Sequence, residues 1–213
     1  FSLITFILFL VDKNFAFDFA KNCGLKSLIS AKDNPYKNDE NIASLALGGL
    51  TNGVTPLEMA NAYSTIANKG MYNTPKFYTK VLDSEGKEIL FKVQDSKRVM
   101  QEKTAIELIE CLKDVVNYGT AYGYVRIGYL PVAGKTGNSN DDKDQWFAGY
   151  TPYYTAVVWN GYDKPTTIGS RKTLGTYPYT ATVVWTNVMK TIHSGLKAAS
   201  FSKPKGIVKA TVC

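Results

Sequence analysis

Histidine is nearly missing from this chain: among 213 residues only His193 carries an imidazole, and no C-x-x-C occurs. Those absences exclude a Ser-His-Asp or Cys-His relay, which needs a histidine near the middle of the fold, and leave no zinc site. Cysteine is scarce as well. Cys23, Cys111 and Cys213 are too few and too scattered for a disulfide framework. No apolar run reaches the roughly 20 residues that a membrane-spanning helix needs. The opening run, Phe1 to Val11, has no basic stretch before it and no small-residue cleavage site after it, so it does not read as a signal peptide.

What is present is ordinary globular composition. Hydrophobic residues make up 45% and charged residues 20%, which excludes disorder, collagen and coiled coil. The formal net charge is +7, carried mostly by lysines spread along the chain. Scattered lysine suits an anionic surface such as a membrane or cell wall as well as nucleic acid, and selects none of them. The chain begins on Phe rather than Met and stops at Cys213 inside a β-rich stretch. The expectation is therefore a fragment of a longer chain, with Phe1–Val11 a buried helix or strand whose upstream partner is missing.

Local patterns predict a helix over Phe15–Asn22 closed by Gly24, and a polar surface loop over Ser30–Asn41. Thr55-Pro56-Leu57-Glu58 is a strong helix start, with Thr55 as cap, Pro56 at the first helical position and Glu58 completing a capping box. Tyr78–Leu82 and Glu88–Phe91 flank Asp83–Lys87 as a hairpin with Gly86 at its turn. Thr104–Val116 reads as an amphipathic helix with Ile106, Ile109, Leu112, Val116 and Cys111 inward, making Cys111 a core thiol. Short strands follow at Leu130–Lys135, Gln145–Tyr150 and Tyr154–Tyr162, joined by turns too short for anything but antiparallel neighbours. A last helix, Tyr179–His193, carries apolar Val183, Val184, Val188 and Met189. Helices before and after an antiparallel sheet indicate an α+β fold, an antiparallel sheet flanked by helices.

The stretch with chemistry in it is Gly134-Lys135-Thr136-Gly137. On a strand, alternate side chains share a face, so Lys135 and Gly137 point one way and Thr136 the other, unless twist or a bulge brings its hydroxyl to the same edge. Gly137 lets a ligand approach the backbone closely. Taken alone, a lysine at a strand end is more often simply solvated.

Gly134–Gly137, followed by Asp144-Gln145-Trp146-Phe147 and Gly149-Tyr150-Thr151-Pro152, resembles the third active-site motif of penicillin-binding proteins. Gly53-Val54-Thr55-Pro56-Leu57-Glu58-Met59-Ala60 is similar to a helix of the class A members, and Tyr154–Asp163 resembles the family's next strand. The resemblance spans about Asp18 to Thr211 and keeps the family's motif order. It implies a β-lactamase/transpeptidase-like fold, incomplete at the N-terminus, with residues 1–197 the C-terminal part of the transpeptidase domain and 198–213 the start of a tail or linker. It implies acylation of a serine by a D-Ala-D-Ala stem peptide, transfer of the acyl group to an amine on a neighbouring stem, and trapping of the same serine by β-lactams. Lys135 and Thr136 would be the catalytic pair of this strand, and Lys135, Thr136, Gly137, Asn138 and Ser139 would bind substrate. No metal or organic cofactor and no nucleic acid are implied. Such a protein would work at the extracytoplasmic face of a bacterial cytoplasmic membrane, held by an N-terminal anchor absent from this chain, and would pair with the missing N-terminal part of its own domain.

Two features depart from the family. Asn138 stands where a threonine usually follows K-T-G and helps hold the substrate carboxylate; its amide, or the Ser139 hydroxyl, would have to donate that bond. No S-x-N precedes Lys135. Serines three residues before a lysine occur at Ser84 with Lys87, Ser194 with Lys197 and Ser202 with Lys205, but Gly86, Gly195 and Pro204 sit in these motifs and none opens a buried helix. The reading is part of a serine D,D-transpeptidase whose nucleophile is not in the chain, inactive alone. Its rivals are a D,D-carboxypeptidase or β-lactamase relative, and a non-catalytic wall-binding or β-lactam-sensing module.

Overall fold

The computed structural model describes residues 12–91, 95–168 and 180–203. Helices α1 (Lys13–Asn22), α2 (Ile42–Leu47) and α3 (Pro56–Ala67) come first. Two short antiparallel pairs follow, β1 (Met71–Asn73) with β4 (Ser96–Arg98) and β2 (Lys80–Leu82) with β3 (Glu88–Phe91). Helix α4 (Glu102–Asn117) leads to a three-stranded antiparallel sheet of β5 (Ala133–Asn138), β6 (Asp144–Tyr150) and β7 (Thr155–Gly161), and α5 (Thr180–Ile192) closes the order. This is the α+β arrangement that the helix–sheet–helix pattern predicts. The expectations for Phe1–Val11, for Tyr179 and for residues beyond 203 lie outside the described residues.

The start of α3 is the predicted capping box: Glu58 N donates to the Thr55 hydroxyl at 3.2 Å, and Thr55 N donates back to the Glu58 carboxylate at 2.8 Å. The same carboxylate accepts Ser27 N at 2.7 Å, which ties the segment after α1 onto α3. Burial alone would raise the Glu58 pKa, but the bonds from Thr55 and Ser27 outweigh it and hold the group below the usual carboxylate range. The loop over 30–41 is equally anchored, since buried Asp39 accepts Ile29 N at 2.8 Å and Thr51 N at 2.6 Å. Helix α2 then starts from Asn41, whose side chain accepts Ala43 N; this element had no periodic signal, being six residues long.

In α4 the buried stripe is Ala105, Ile106, Ile109, Leu112 and Val116, as the spacing predicts, but Cys111 is exposed and is not a core thiol. At 100° per residue, position 111 falls about 200° from Ile109, on the far side of the helix. Among the described residues the buried thiol is Cys23, whose pKa burial pushes up to about 11, with Lys97 pulling the other way. In α5 the residue that meets the sheet is Trp185, while Val184 and Val188 face outward. Strand β5 begins three residues later than the sequence suggests, because Pro131 has no N–H for the ladder.

Directly paired residues share a sheet face. One face of the sheet carries Ala133 and Tyr150, packed with Ile109 and Leu112 of α4 and Tyr63 and Ile66 of α3. The other carries Phe147, whose ring meets Trp185 of α5 edge-on at 5.0 Å. Gly134 and Gly149 pair on this second face, under those rings. A Cβ at Gly149 would lie 2.6 Å from the Phe147 ring and 2.9 Å from Trp185, and one at Gly134 would lie 2.8 Å from the Ala148 carbonyl. The first glycine of the G-K-T-G stretch is thus a packing requirement. After α5 the chain returns to the domain, with Ala199 against the α5 cluster and Phe201 edge-on to Tyr150 at 5.7 Å. Among the described residues no helix is long and apolar enough to cross a membrane.

Candidate functional site

Strand β5 is an edge strand of the sheet among the described residues, paired with β6 on one side only. Its pairing runs unbroken from Ala133 opposite Tyr150 to Asn138 opposite Gln145. No bulge turns Thr136, so alternation holds: Lys135 and Gly137 share one face and Thr136 takes the other. Lys135 is exposed, and its ammonium donates to the Thr136 carbonyl at 2.9 Å. Among the described residues it has no ion-pair partner, so the charge is available to an anion arriving at the strand.

On the Lys135 face the row continues through two indoles. Gly137 pairs with Trp146, which pairs with Trp159. Their ring centroids are 6.3 Å apart, and the Trp159 Nε1–H donates to Asp144 at 2.9 Å. A Cβ at Gly137 would approach the Trp146 Cβ to 3.3 Å, so glycine here keeps the backbone bare beside an aromatic wall. The antiparallel register alone would have placed these tryptophans beside Gly137, had the parity of the strands been read across from Lys135.

The two residues after the K-T-G are engaged in the turn. Asn138 donates its side-chain amide to Asp142 at 3.0 Å. Ser139 accepts Asp144 N on its hydroxyl at 2.8 Å, while its own N–H donates to the Asp144 carbonyl at 3.1 Å. Asp141 sits in the left-handed region with φ 62° inside the short 3-10 turn Asn140–Asp142. Asn138 thus keeps one amide proton for a ligand, and Ser139 keeps its hydroxyl proton.

On the other side of β5 lies a residue with no motif to announce it. The Thr120 hydroxyl is 2.6 Å from that of Thr136, across sixteen residues of chain. Thr120 follows the end of α4, and only the packing of that loop onto the strand brings the two together.

The described serines that stand three residues before a lysine lie outside any helix. Ser194 lies in the turn after α5, and Ser202 is exposed outside any regular element. A further pair, Ser200 and Lys203, is exposed in the same irregular stretch. Ser84 stands in the β2–β3 turn, exposed. The described hollows also lie away from β5: one of about 570 Å³ is lined by Arg126, Gly128, Tyr129 and Lys190, and one of about 220 Å³ by α1, β1 and β4 residues including Lys21, Tyr72 and Lys97.

Known proteins resemble most of this chain. The family model described as the penicillin binding protein transpeptidase domain matches residues 13–172. Penicillin-binding protein 1A of Clostridium botulinum is 39% identical over 171 residues, covering 80% of this chain and 20% of the relative. Penicillin-binding protein 1F of Bacillus subtilis is 39% identical over 177 residues, 79% of this chain and 23% of the relative. The chain thus spans about a fifth of the length of the curated relatives it matches. Among solved structures, the penicillin-binding protein PonA1 from Mycobacterium tuberculosis superposes with a TM-score of 0.72 at 23% identity, over 91% of this chain and 55% of that one. That likeness speaks to the fold, an α+β sheet flanked by helices as in transpeptidase domains.

Proposed function

The chain belongs to the penicillin-binding protein transpeptidase domain family, and from that premise we propose that it is the C-terminal part of a serine D,D-transpeptidase of class A type that cross-links peptidoglycan stem peptides. The observation that carries this reading is β5, an edge strand among the described residues: on it an exposed Lys135, with no ion-pair partner among those residues, stands beside bare backbone at Gly137. An extended peptide can add to such an edge by backbone pairing, and its terminal carboxylate can meet Lys135 in a charge-assisted hydrogen bond. In this proposal Lys135 supplies the positive charge, Thr136 a hydroxyl donor, Gly137 the clearance, and Asn138 or Ser139 the further bond that a threonine gives elsewhere in the family. The acyl-accepting serine and its lysine belong to sequence outside this chain, and the fragment alone does not catalyse.

The division at residue 197 is part of the same proposal, with Ala199 and Phe201, at the start of the tail, lying back against the domain. So are the partners: D-Ala-D-Ala stem peptides, β-lactams, and the N-terminal part of the same domain. The structure of PonA1 in complex with penicillin V, from the same fold, supports the β-lactam assignment. The place of work in this reading is the outer face of the cytoplasmic membrane. The test is a fluorescent-penicillin gel of the full-length protein. A covalent band that unlabelled penicillin competes away is expected; its absence from folded protein leaves a non-catalytic wall-binding or β-lactam-sensing module instead.

A further inference from the structure

We propose that Thr120 is a positioning residue for the site, holding the Thr136 hydroxyl so that its single proton points outward to an incoming carboxylate; this rests on the transpeptidase reading above. The two hydroxyl oxygens are 2.6 Å apart, and either can be the donor. A hydroxyl has one proton and two lone pairs. If Thr136 gives its proton to Thr120, none is left for an anion. A carboxylate only accepts, so a carboxylate at Thr136 requires Thr136 to donate to it. The bond between the threonines then runs from Thr120 to Thr136, and the two bonds polarise in the same direction.

Thr120 can do this because its backbone is held. The Val115 carbonyl at the end of α4 accepts both Gly119 N and Ala121 N, each at 3.2 Å. Gly119 lies so close to the helix that a Cβ there would come within 2.9 Å of the Val115 backbone. On the other flank Ala121 is fully buried, inside the cluster that includes Val116, Phe147 and Trp185. Thr120 is therefore a hydroxyl on a locked loop, not a chance neighbour on a mobile one. The charge lies on the same stretch of strand, since the Lys135 ammonium donates to the Thr136 carbonyl.

The experiment measures the rate of covalent labelling by benzylpenicillin in full-length protein carrying Thr120→Val, Thr120→Ser, Thr136→Val and the double change Thr120→Val/Thr136→Val, with thermal unfolding measured for each. Valine keeps the shape and removes the hydroxyl. The expectation is a three- to tenfold slower labelling for Thr120→Val, the scale of one neutral hydrogen bond, with an unchanged unfolding midpoint. Thr120→Ser should label at the original rate. Adding Thr120→Val to Thr136→Val should cost nothing more, because the first acts only through the second. An unchanged rate in Thr120→Val, a serine variant as slow as the valine, or equal losses in both backgrounds would each overturn the role while leaving the transpeptidase reading intact. Wild-type protein that takes no label overturns that reading and this role with it.

Discussion

Lys135 and Cys111 show how differently single residues read at the two levels. Lys135 was legible: strand alternation and the neighbouring glycines put it on an open face, and it stands there with no ion-pair partner among the described residues. In full-length protein Lys135→Ala should slow β-lactam acylation about ten- to a hundredfold, the scale of a charge-assisted hydrogen bond, with normal unfolding; stopped-flow labelling checks it. Asn138→Thr should keep or raise that rate, since the Asn138 amide is already shared with Asp142 and a threonine hydroxyl would be free for substrate. Cys111 departs from the helical expectation and is exposed; an apolar side chain next to a stripe is easily counted into it. The consequence is measurable: at pH 8, iodoacetamide should modify Cys111 readily and leave Cys23 intact. Cys23 is buried and its pKa, raised to about 11, keeps it a neutral thiol there, so peptide mass spectrometry should find it alkylated only after unfolding.

Elements with strong local chemistry formed as their residues predict. Helix α3 is the plainest, with its cap, proline and reciprocal glutamate visible in four consecutive residues. Its tertiary role was not visible there, because the bond from Ser27 N to Glu58 joins residues 31 apart. That second role gives the helix a pH signature. The folded-state pKa of Glu58 is depressed, so its contribution is present above the usual glutamate value of about 4.3 and is lost as pH falls through the lower folded value. Glu58→Gln should flatten part of the acid limb of the stability curve and cost about 1 kcal/mol at neutral pH, as capping losses do. Asp39, held down against its burial by two backbone donors, supplies another part. Urea unfolding between pH 3 and 7 measures both. The short elements α2 and β1 had no such signal, since neither is long enough to show a period.

At the scale of the whole molecule, a buried contact joins residues 42 apart. The Thr151 hydroxyl accepts Tyr153 N at 3.1 Å and Tyr154 N at 3.2 Å, which fills its lone pairs and turns its proton to His193 Nε2 at 2.7 Å. His193 Nδ1 lies 2.6 Å from the Met189 carbonyl and must donate to it, so the ring is the neutral Nδ1–H tautomer. The one histidine is thus a clasp between the β6–β7 turn and the end of α5. Thr151→Val strands a buried ring nitrogen and should cost about 1–3 kcal/mol in chemical denaturation, while Thr151→Ser should recover most of it.

The sequence by itself determined the fold class, the shared strand face of Lys135 and Gly137, and the family, because period, caps, turns and contiguous motifs are local and leave local marks. Tertiary structure alone decided that Gly149 is needed under Trp185, and that Thr120 reaches Thr136. Each of those is a meeting of residues from separate elements. Which side chains meet depends on how helices and loops seat on a sheet, and the pattern within any one element does not record it.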